Sequence, residues 1–146
     1  MLAATIAASA AAQESPIRRV AQVTIVVRNQ DQALAFYVDK LGFVKRQDQT
    51  MGSFRWLTVA PPGQKDLEIV LEMPTGEMGE ARRQQLAAYL GQGPTWVFDT
   101  ADVKAAYETL KARGVEFEQP PMLLPFGVEA LFKDPYGNTF ALLQHR

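Results

Sequence analysis

Residues 20–43 read VAQVTIVVRNQDQALAFYVDKLGF, and this stretch decides the fold. Its first part, residues 22–27, is β-branched and apolar, the composition of a strand buried in a sheet. Asn29 or Asp31 can then accept a free backbone N–H and cap a helix. In that helix Leu34, Tyr37, Val38 and Leu41 recur at helical spacing, and Gly42 supplies a left-handed stop. Three strands are predicted beyond it, at residues 43–47, 54–60 and 66–73, with Pro61-Pro62-Gly63 turning between the last two.

The same order then returns. A strand is predicted at 95–99 and a helix at 102–113, with Val103, Ala106 and Leu110 on one face and Gly114 at its end. Strands at 115–118, 128–133 and 138–144 follow, and Asp134-Pro135-Tyr136-Gly137 forms the last hairpin turn. An offset of 73 residues pairs Pro62 with Pro135, Gln22 with Thr95, and Leu67-Glu68-Ile69 with Phe140-Ala141-Leu142, whereas Gly42 and Gly114 are 72 apart. Each module, 20–73 and 95–146, is too small to bury its own sheet, so the two are expected to share a core as one α+β domain over 20–146. Residues 74–94 read as a Gly- and charge-rich connector carrying an amphipathic helix over 79–90, with Arg82 and Arg83 on its solvated face.

Composition removes several classes of function. The chain has 146 residues, a formal net charge of −1, no cysteine, and His145 as its one histidine. Nucleic-acid binding is disfavoured, because this charge supplies no large counterion-release term. Without cysteine there is no disulfide framework, thiolate zinc site or cysteine nucleophile. A Ser-His-Asp triad built on an internal histidine is excluded as well. Residues 1–19 form an N-terminal extension or signal peptide. The run LAATIAASAAA at 2–12 has the length of a signal-peptide core, and Ala10-Ala11-Ala12 before Gln13 fits the cleavage rule, although no basic residue precedes it. If it is a signal the protein is exported or periplasmic; if it is an Ala-rich extension, cytoplasmic. The run is too short to span a bilayer, and no other segment reads as a membrane span.

Three motifs carry a family resemblance: Gln32-Ala33-Leu34-Ala35-Phe36-Tyr37 through Leu41-Gly42-Phe43, Tyr107-Glu108-Thr109-Leu110-Lys111-Ala112-Arg113-Gly114-Val115, and Asp134-Pro135-Tyr136-Gly137-Asn138. Over residues 20–144 the chain resembles the vicinal oxygen chelate superfamily, which includes glyoxalase I, extradiol dioxygenases, and bleomycin- and fosfomycin-resistance proteins. The resemblance implies paired βαβββ modules whose mixed sheets curl into a cup holding a small ligand, commonly in a homodimer. It also implies four metal-ligand positions on four strands, used by active members to hold a divalent ion that stabilises an enolate. The positions matching those ligands are Gln22, Glu68, Thr95 and Ala141. Gln22 and Glu68 can ligate, Thr95 is a poor ligand and Ala141 has no donor. Two protein oxygens rarely hold a catalytic transition metal, although Mg²⁺ tolerates fewer because it keeps waters. No cofactor is therefore expected, a divalent metal being the alternative.

Strand alternation sorts the remaining candidates. Gln22, Thr24 and Val26 share a face with Thr95, Val97 and Asp99, while Trp96, out of phase, is expected to pack under the helices. Glu68, Val70 and Glu72 share a parity, as do Phe54, Trp56 and Thr58. If Gln22 and Glu68 face the cup, Phe54 and Trp56 offer a stacking surface for a planar ligand, or else fill the core. Glu68 could act as a general base, or hydrogen-bond Gln22 or Arg55 as a structural relic. Phe126, before Gly127, sits where relatives close a loop over the ligand, or anchors an ordinary turn. Tyr136 and His145 are expected at the surface. The favoured function is a metal-independent small-molecule binding protein; the alternative is an enzyme using Glu68 as base or a weakly held metal.

Overall fold

The computed structural model describes residues 14–75, 77 and 79–146, so the apolar run at 2–12 lies outside the described residues. Module one comprises β1 (Gln22–Val26), α1 (Gln30–Leu34), β2 (Val44–Met51), β3 (Phe54–Ala60) and β4 (Glu68–Glu72). After α2 (Glu80–Ala88), module two comprises β5 (Val97–Asp99), α3 (Val103–Ala112), β6 (Glu116–Leu124), β7 (Gly127–Lys133) and β8 (Thr139–His145). The strands form two four-stranded sheets with matching order, β1-β4-β3-β2 and β5-β8-β7-β6. In each, the first strand is parallel to the last and the remaining pairs are antiparallel.

Asn29 caps α1 by accepting from the Gln32 N–H at 2.9 Å, and Asp102 caps α3 by accepting from Ala105 at 3.0 Å. The first helix does not run on as a plain α-helix. From Ala35 to Lys40 it widens to a π-helical turn, and Leu41 N–H donates to Phe36 O at 3.0 Å. The wider turn takes up an extra residue; here the adjacent Phe36 and Tyr37 are both buried. Gly42 (φ 78°) and Gly114 (φ 84°) end the two helices in the left-handed region, as the sequence requires.

Several boundaries differ from expectation. β2 extends to Met51, through a polar run that a hydrophobicity pattern passes over, because β2 is an edge strand and needs no apolar face of its own. β6 runs to Leu124 rather than ending at Glu118, and it contains Pro120 and Pro121. Register shifts between Phe117 and Met122 accommodate them, and the edge position leaves the missing N–H groups without ladder partners to lose. β5 begins at Val97, after Gly93-Pro94, rather than at Thr95.

Both sheets turn their helix-bearing faces into one core. Ile25, Val27, Leu57, Val59, Ile69 and Leu71 of sheet one join Ala130, Phe132, Phe140 and Leu142 of sheet two around Phe36, Tyr37 and Val103. Aromatic edges cross the module boundary, Tyr37 to Phe140 at 6.4 Å and Phe43 to Phe98 at 5.4 Å between ring centroids.

The last turn locks the modules. Asp134, 5% exposed, accepts from Tyr37 Oη (2.7 Å), Asn138 Nδ2 (2.7 Å) and the backbone N–H groups of Tyr136 and Asn138 (2.9 Å each). Tyr136, expected at the surface, is buried, because its hydroxyl reaches across to donate to Asn29 O at 2.7 Å. Burial and the Asp134 carboxylate push the Tyr37 hydroxyl well above its ordinary pKa of 10.0.

Asp134→Ala is expected to destabilise the fold by about 3 kcal/mol or more, because four donors lose their acceptor, and Tyr37→Phe by about 1–2 kcal/mol. The raised Tyr37 pKa means that its contribution is complete below the unfolded value near 10 and is lost as pH rises through the folded value. Urea titrations between pH 7 and 11 should therefore show the wild type converging on Tyr37→Phe at the alkaline end; a constant gap would refute the linkage.

Candidate functional site

Alternation gives sheet one an outer face, pointing away from the shared core. It carries Gln22, Thr24 and Val26 on β1, Glu68, Val70 and Glu72 on β4, Phe54, Trp56 and Thr58 on β3, and Gln47, Gln49 and Met51 on β2. The parallel register sets Gln22 directly beside Glu68. Glu68 is half-buried and accepts from Gln47 Nε2 at 2.7 Å. Its partner is therefore Gln47, not Gln22 or Arg55. Arg55 points to the other face, where it donates to Asp48 at 2.7 and 2.9 Å and to Asp31 at 2.7 Å.

The second pair of expected ligand positions does not form. Ala141 lies opposite Val97, and Thr95 is exposed and outside the strand. Glu68 and Ala141 are 73 positions apart but their partners Gln22 and Val97 are 75 apart, so β5 has slid two residues along β8. A two-residue slip preserves the face, so Val97 takes the place that the repeat assigned to Thr95. Neither Val97 nor Ala141 has a side-chain donor atom. A divalent metal does not fit this set, and among the described residues no three His, Cys, Asp or Glu side chains converge.

Phe54 and Trp56 sit two residues apart on the outer face, both half-buried, with ring centroids 6.4 Å apart. They are available from this face rather than packed in the core cluster. Phe126 is different. It occupies the two-residue tip of the β6–β7 hairpin between Leu124 and Gly127, 53% exposed, on module two.

A partly open site adjoins the outer face, and the sequence pointed to few of its residues. A cavity of about 310 Å³ lies between α2 and β1, lined by Thr24, Val26, Arg82, Leu86, Tyr89, Trp96 and Phe140 among others. Trp96 packs against the core, as its phase predicted, and also walls this cavity. The helix over 80–88 is more than a connector: Leu86 is buried, and Arg82, exposed as expected, also borders the cavity. The amphipathic pattern announced an apolar face, of which Leu86 is the one large anchor within α2, but not the cavity it borders.

The sequence reading missed Gln30 and the burial of Glu72. Gln30 is 8% exposed, and its Nε2 donates to Arg55 O at 3.0 Å and Leu71 O at 2.7 Å. A side-chain amide thus replaces a ladder bond where β3 and β4 part, and their register pairs are confined to Thr58–Val70 and Val59–Ile69. Glu72, also 8% exposed, stands beside Val26 on the outer face. Burial pushes its carboxyl above the ordinary value of 4.5, partly offset by the Arg82 guanidinium.

The geometry now stands beside known proteins. The family model for the Glyoxalase/Bleomycin resistance protein/Dioxygenase superfamily matches residues 19–142, and the chain belongs to that family. It is 35% identical over 127 residues to the uncharacterised protein YurT of Bacillus subtilis (strain 168), covering 86% of this chain and 98% of that one. Among solved structures it is similar to UcmS2, with a TM-score of 0.77 at 40% identity over 87% of this chain and 98% of that one. It is also similar to TnmS3, an antibiotic binding protein from Streptomyces sp. CB03234, with a TM-score of 0.72 at 32% identity, covering 91% of this chain and 100% of that one. The fold expected from the three motifs is the fold observed. Among the described residues no helix is long and apolar enough to cross a membrane.

A carboxyl with a raised folded pKa contributes stability only below its unfolded pKa, and that contribution disappears as pH rises through the folded value. Glu72→Gln is accordingly expected to melt at a higher temperature than wild type at pH 7. The two should converge below about pH 4, where both side chains are neutral. Calorimetry across that range checks it, and a difference that persists in acid would contradict a charge-based cause.

Proposed function

We propose that this chain is a small-molecule binding protein that works without a metal, holding an aromatic, antibiotic-like ligand against the outer face of sheet one and in the cavity beneath α2. The observation carrying this reading is the cavity itself: Trp96, Phe140, Leu86 and Val26 supply apolar walls, and Trp56 with Phe54 extends an aromatic surface on the same face. Pockets of this volume and composition suit small molecules whose affinity comes from buried aromatic area with a few polar contacts. The likeness to TnmS3 supports the same class of ligand. The donor set at Gln22, Glu68, Val97 and Ala141 supports independence from metal.

The same reading includes a homodimer. Val97 (56% exposed) and Met122 (47%) of sheet two, with Met51 (55%) of sheet one, leave apolar side chains uncovered on the outer faces of the isolated chain. Scattered exposed apolar residues are ordinary, but three on the outer faces of the two sheets favour a covering partner. Val97→Glu is expected to shift the protein from dimer to monomer in sedimentation equilibrium; a wild-type monomer at tens of micromolar would exclude this arrangement.

The binding test is a titration of planar aromatic antibiotics into chelator-treated protein, followed by tryptophan fluorescence, with and without added Mg²⁺, Mn²⁺, Ni²⁺ or Zn²⁺. Affinity is expected to be the same in every case, and Trp56→Ala or Trp96→Ala to weaken it by about tenfold, the loss of one buried aromatic contact. The enzymatic alternative has one observation in its favour, the adjacency of Gln22 and Glu68. Metal-dependent binding, or turnover of a bound compound that Glu68→Gln abolishes, would replace the binding reading with that alternative.

A further inference from the structure

We propose that the chain carries a second small-molecule site, a cleft between the Pro61-Pro62-Gly63 turn and the start of α3, and that it takes a neutral phenol whose hydroxyl donates to the backbone carbonyl of Asp102. This site is separate from the one beside sheet one, because the cleft and the cavity beneath α2 share no lining residue.

The internal repeat shows what is missing at this corner of the fold. Backbone hydrogen bonds fix the 73-residue correspondence in both the turn and the cap. Gln64 N–H donates to Pro61 O as Gly137 N–H donates to Asp134 O, and Ala106 N–H donates to Asp102 O as Ala33 N–H donates to Asn29 O. Ala105 N–H also donates to the Asp102 side chain as Gln32 N–H does to Asn29. Where the turn of module two meets the cap of α1, Tyr136 fills the space: it is buried, and its hydroxyl donates to Asn29 O at 2.7 Å. Where the turn of module one meets the cap of α3, the residue in register with Tyr136 is Gly63. It has no ring to insert, and open space surrounds the position that its Cβ would take.

A cleft of about 540 Å³ lies at that corner, lined by Pro61 and Pro62 from the turn, Asp102 from the cap, and Phe43, Phe98 and Phe132. Phe43 and Phe98 are half-buried and meet edge to face with centroids 5.4 Å apart, an apolar aromatic wall suited to another ring. The polar end of the ligand follows from the two cap carbonyls. A carbonyl oxygen offers two lone pairs. Asn29 O uses both, for Ala33 N–H at 3.0 Å and the Tyr136 hydroxyl at 2.7 Å. Asp102 O takes Ala106 N–H at 3.0 Å, but its other contact is the Thr100 hydroxyl at 3.4 Å, long for an O–H···O bond. A phenol in the cleft would supply the donor that Tyr136 supplies at the other corner. A carbonyl accepts and cannot donate, so it selects the O–H of a phenol over an ether, a carboxylate or a phenolate.

The test uses a matched pair of probes, p-cresol and 4-methylanisole, which share the ring while the second lacks the O–H donor. Nitrogen-15 NMR titrations of the full chain report affinity and place together. The amides of α3 report the cleft, Ala106 above all because its acceptor is the same carbonyl, and the indole N–H signals of Trp56 and Trp96 report the site beside sheet one. In wild type p-cresol is expected to shift the α3 amides and to bind about fivefold more tightly than the ether, as for one neutral hydrogen bond. Ala105→Trp, at an exposed position lining the cleft, should fill it and abolish binding of both probes there. Thr109→Trp, also exposed and lining the cleft, serves if that variant does not fold. Asp99→Asn should leave the preference for p-cresol unchanged, although Asp99 lines the cleft as well. Equal binding of the two probes, or a preference lost in Asp99→Asn, overturns the role of the Asp102 carbonyl. Shifts confined to the indole signals, or binding that survives in the tryptophan variants, overturn the second site. Each of these outcomes leaves the binding reading for sheet one intact, since that reading is decided by the antibiotic panel.

Discussion

The Asp134 carboxylate is the constraint on which the rest of the structure depends. One buried anion gathers four donors from the last turn and from α1, and a charged acceptor in such a setting makes strong hydrogen bonds. The residues it organises reach further. Asn138 Nδ2 donates to Val26 O at the end of β1, Asn138 Oδ1 accepts from Gly91 N at 3.2 Å, and Tyr136 Oη donates to Asn29 O at the cap of α1. A turn in module two thereby sets where β1 ends, where the chain leaves α2, and how the first helix starts. The end of β1, the chain beyond α2 and Asn138 itself all line the cavity, so the joint between the modules and the candidate site share residues.

Each sheet does two separate jobs because its side chains alternate. Inward residues are apolar and meet in a common core, while the outward residues carry the polar candidates among buried apolar neighbours. The positions at which relatives hold metal ligands are outward. Val97 and Ala141 stand there without side-chain donors, next to an intact core, so fold and metal chemistry are separable features of the chain. On sheet one the polar outward residues remain, with Glu68 held by Gln47 and Glu72 buried beside Val26.

Much of the fold was legible in particular residues. The cap expected at Asn29 or Asp31, the Gly42 and Gly114 stops and the 73-residue offset identified two modules and their order, because caps, left-handed glycines and hydrophobic periods act over a few residues. Edge strands were less legible: β2 is polar on both faces and β6 contains two prolines, patterns that only a position at the sheet edge makes acceptable. The candidate site was half legible. Alternation grouped Gln22, Glu68, Phe54 and Trp56, but it missed Gln30, Arg82 and the environment of Glu72, which depend on contacts between distant segments. Tyr136 shows the limit well, since its turn sequence reads as surface and only the neighbouring module buries it.

By itself the sequence determined the family, the paired modules and the alternation of each strand, all consequences of local backbone geometry and hydrophobic period. Tertiary structure decided the register of β5 against β8, the burial of Tyr136 and Glu72, and the enclosure of a cavity by α2. A two-residue slide leaves every side chain on its own face, so no pattern of alternation can detect it. Burial of a polar group, likewise, depends on which distant segment covers it, and that is settled only when the two modules close around Asp134.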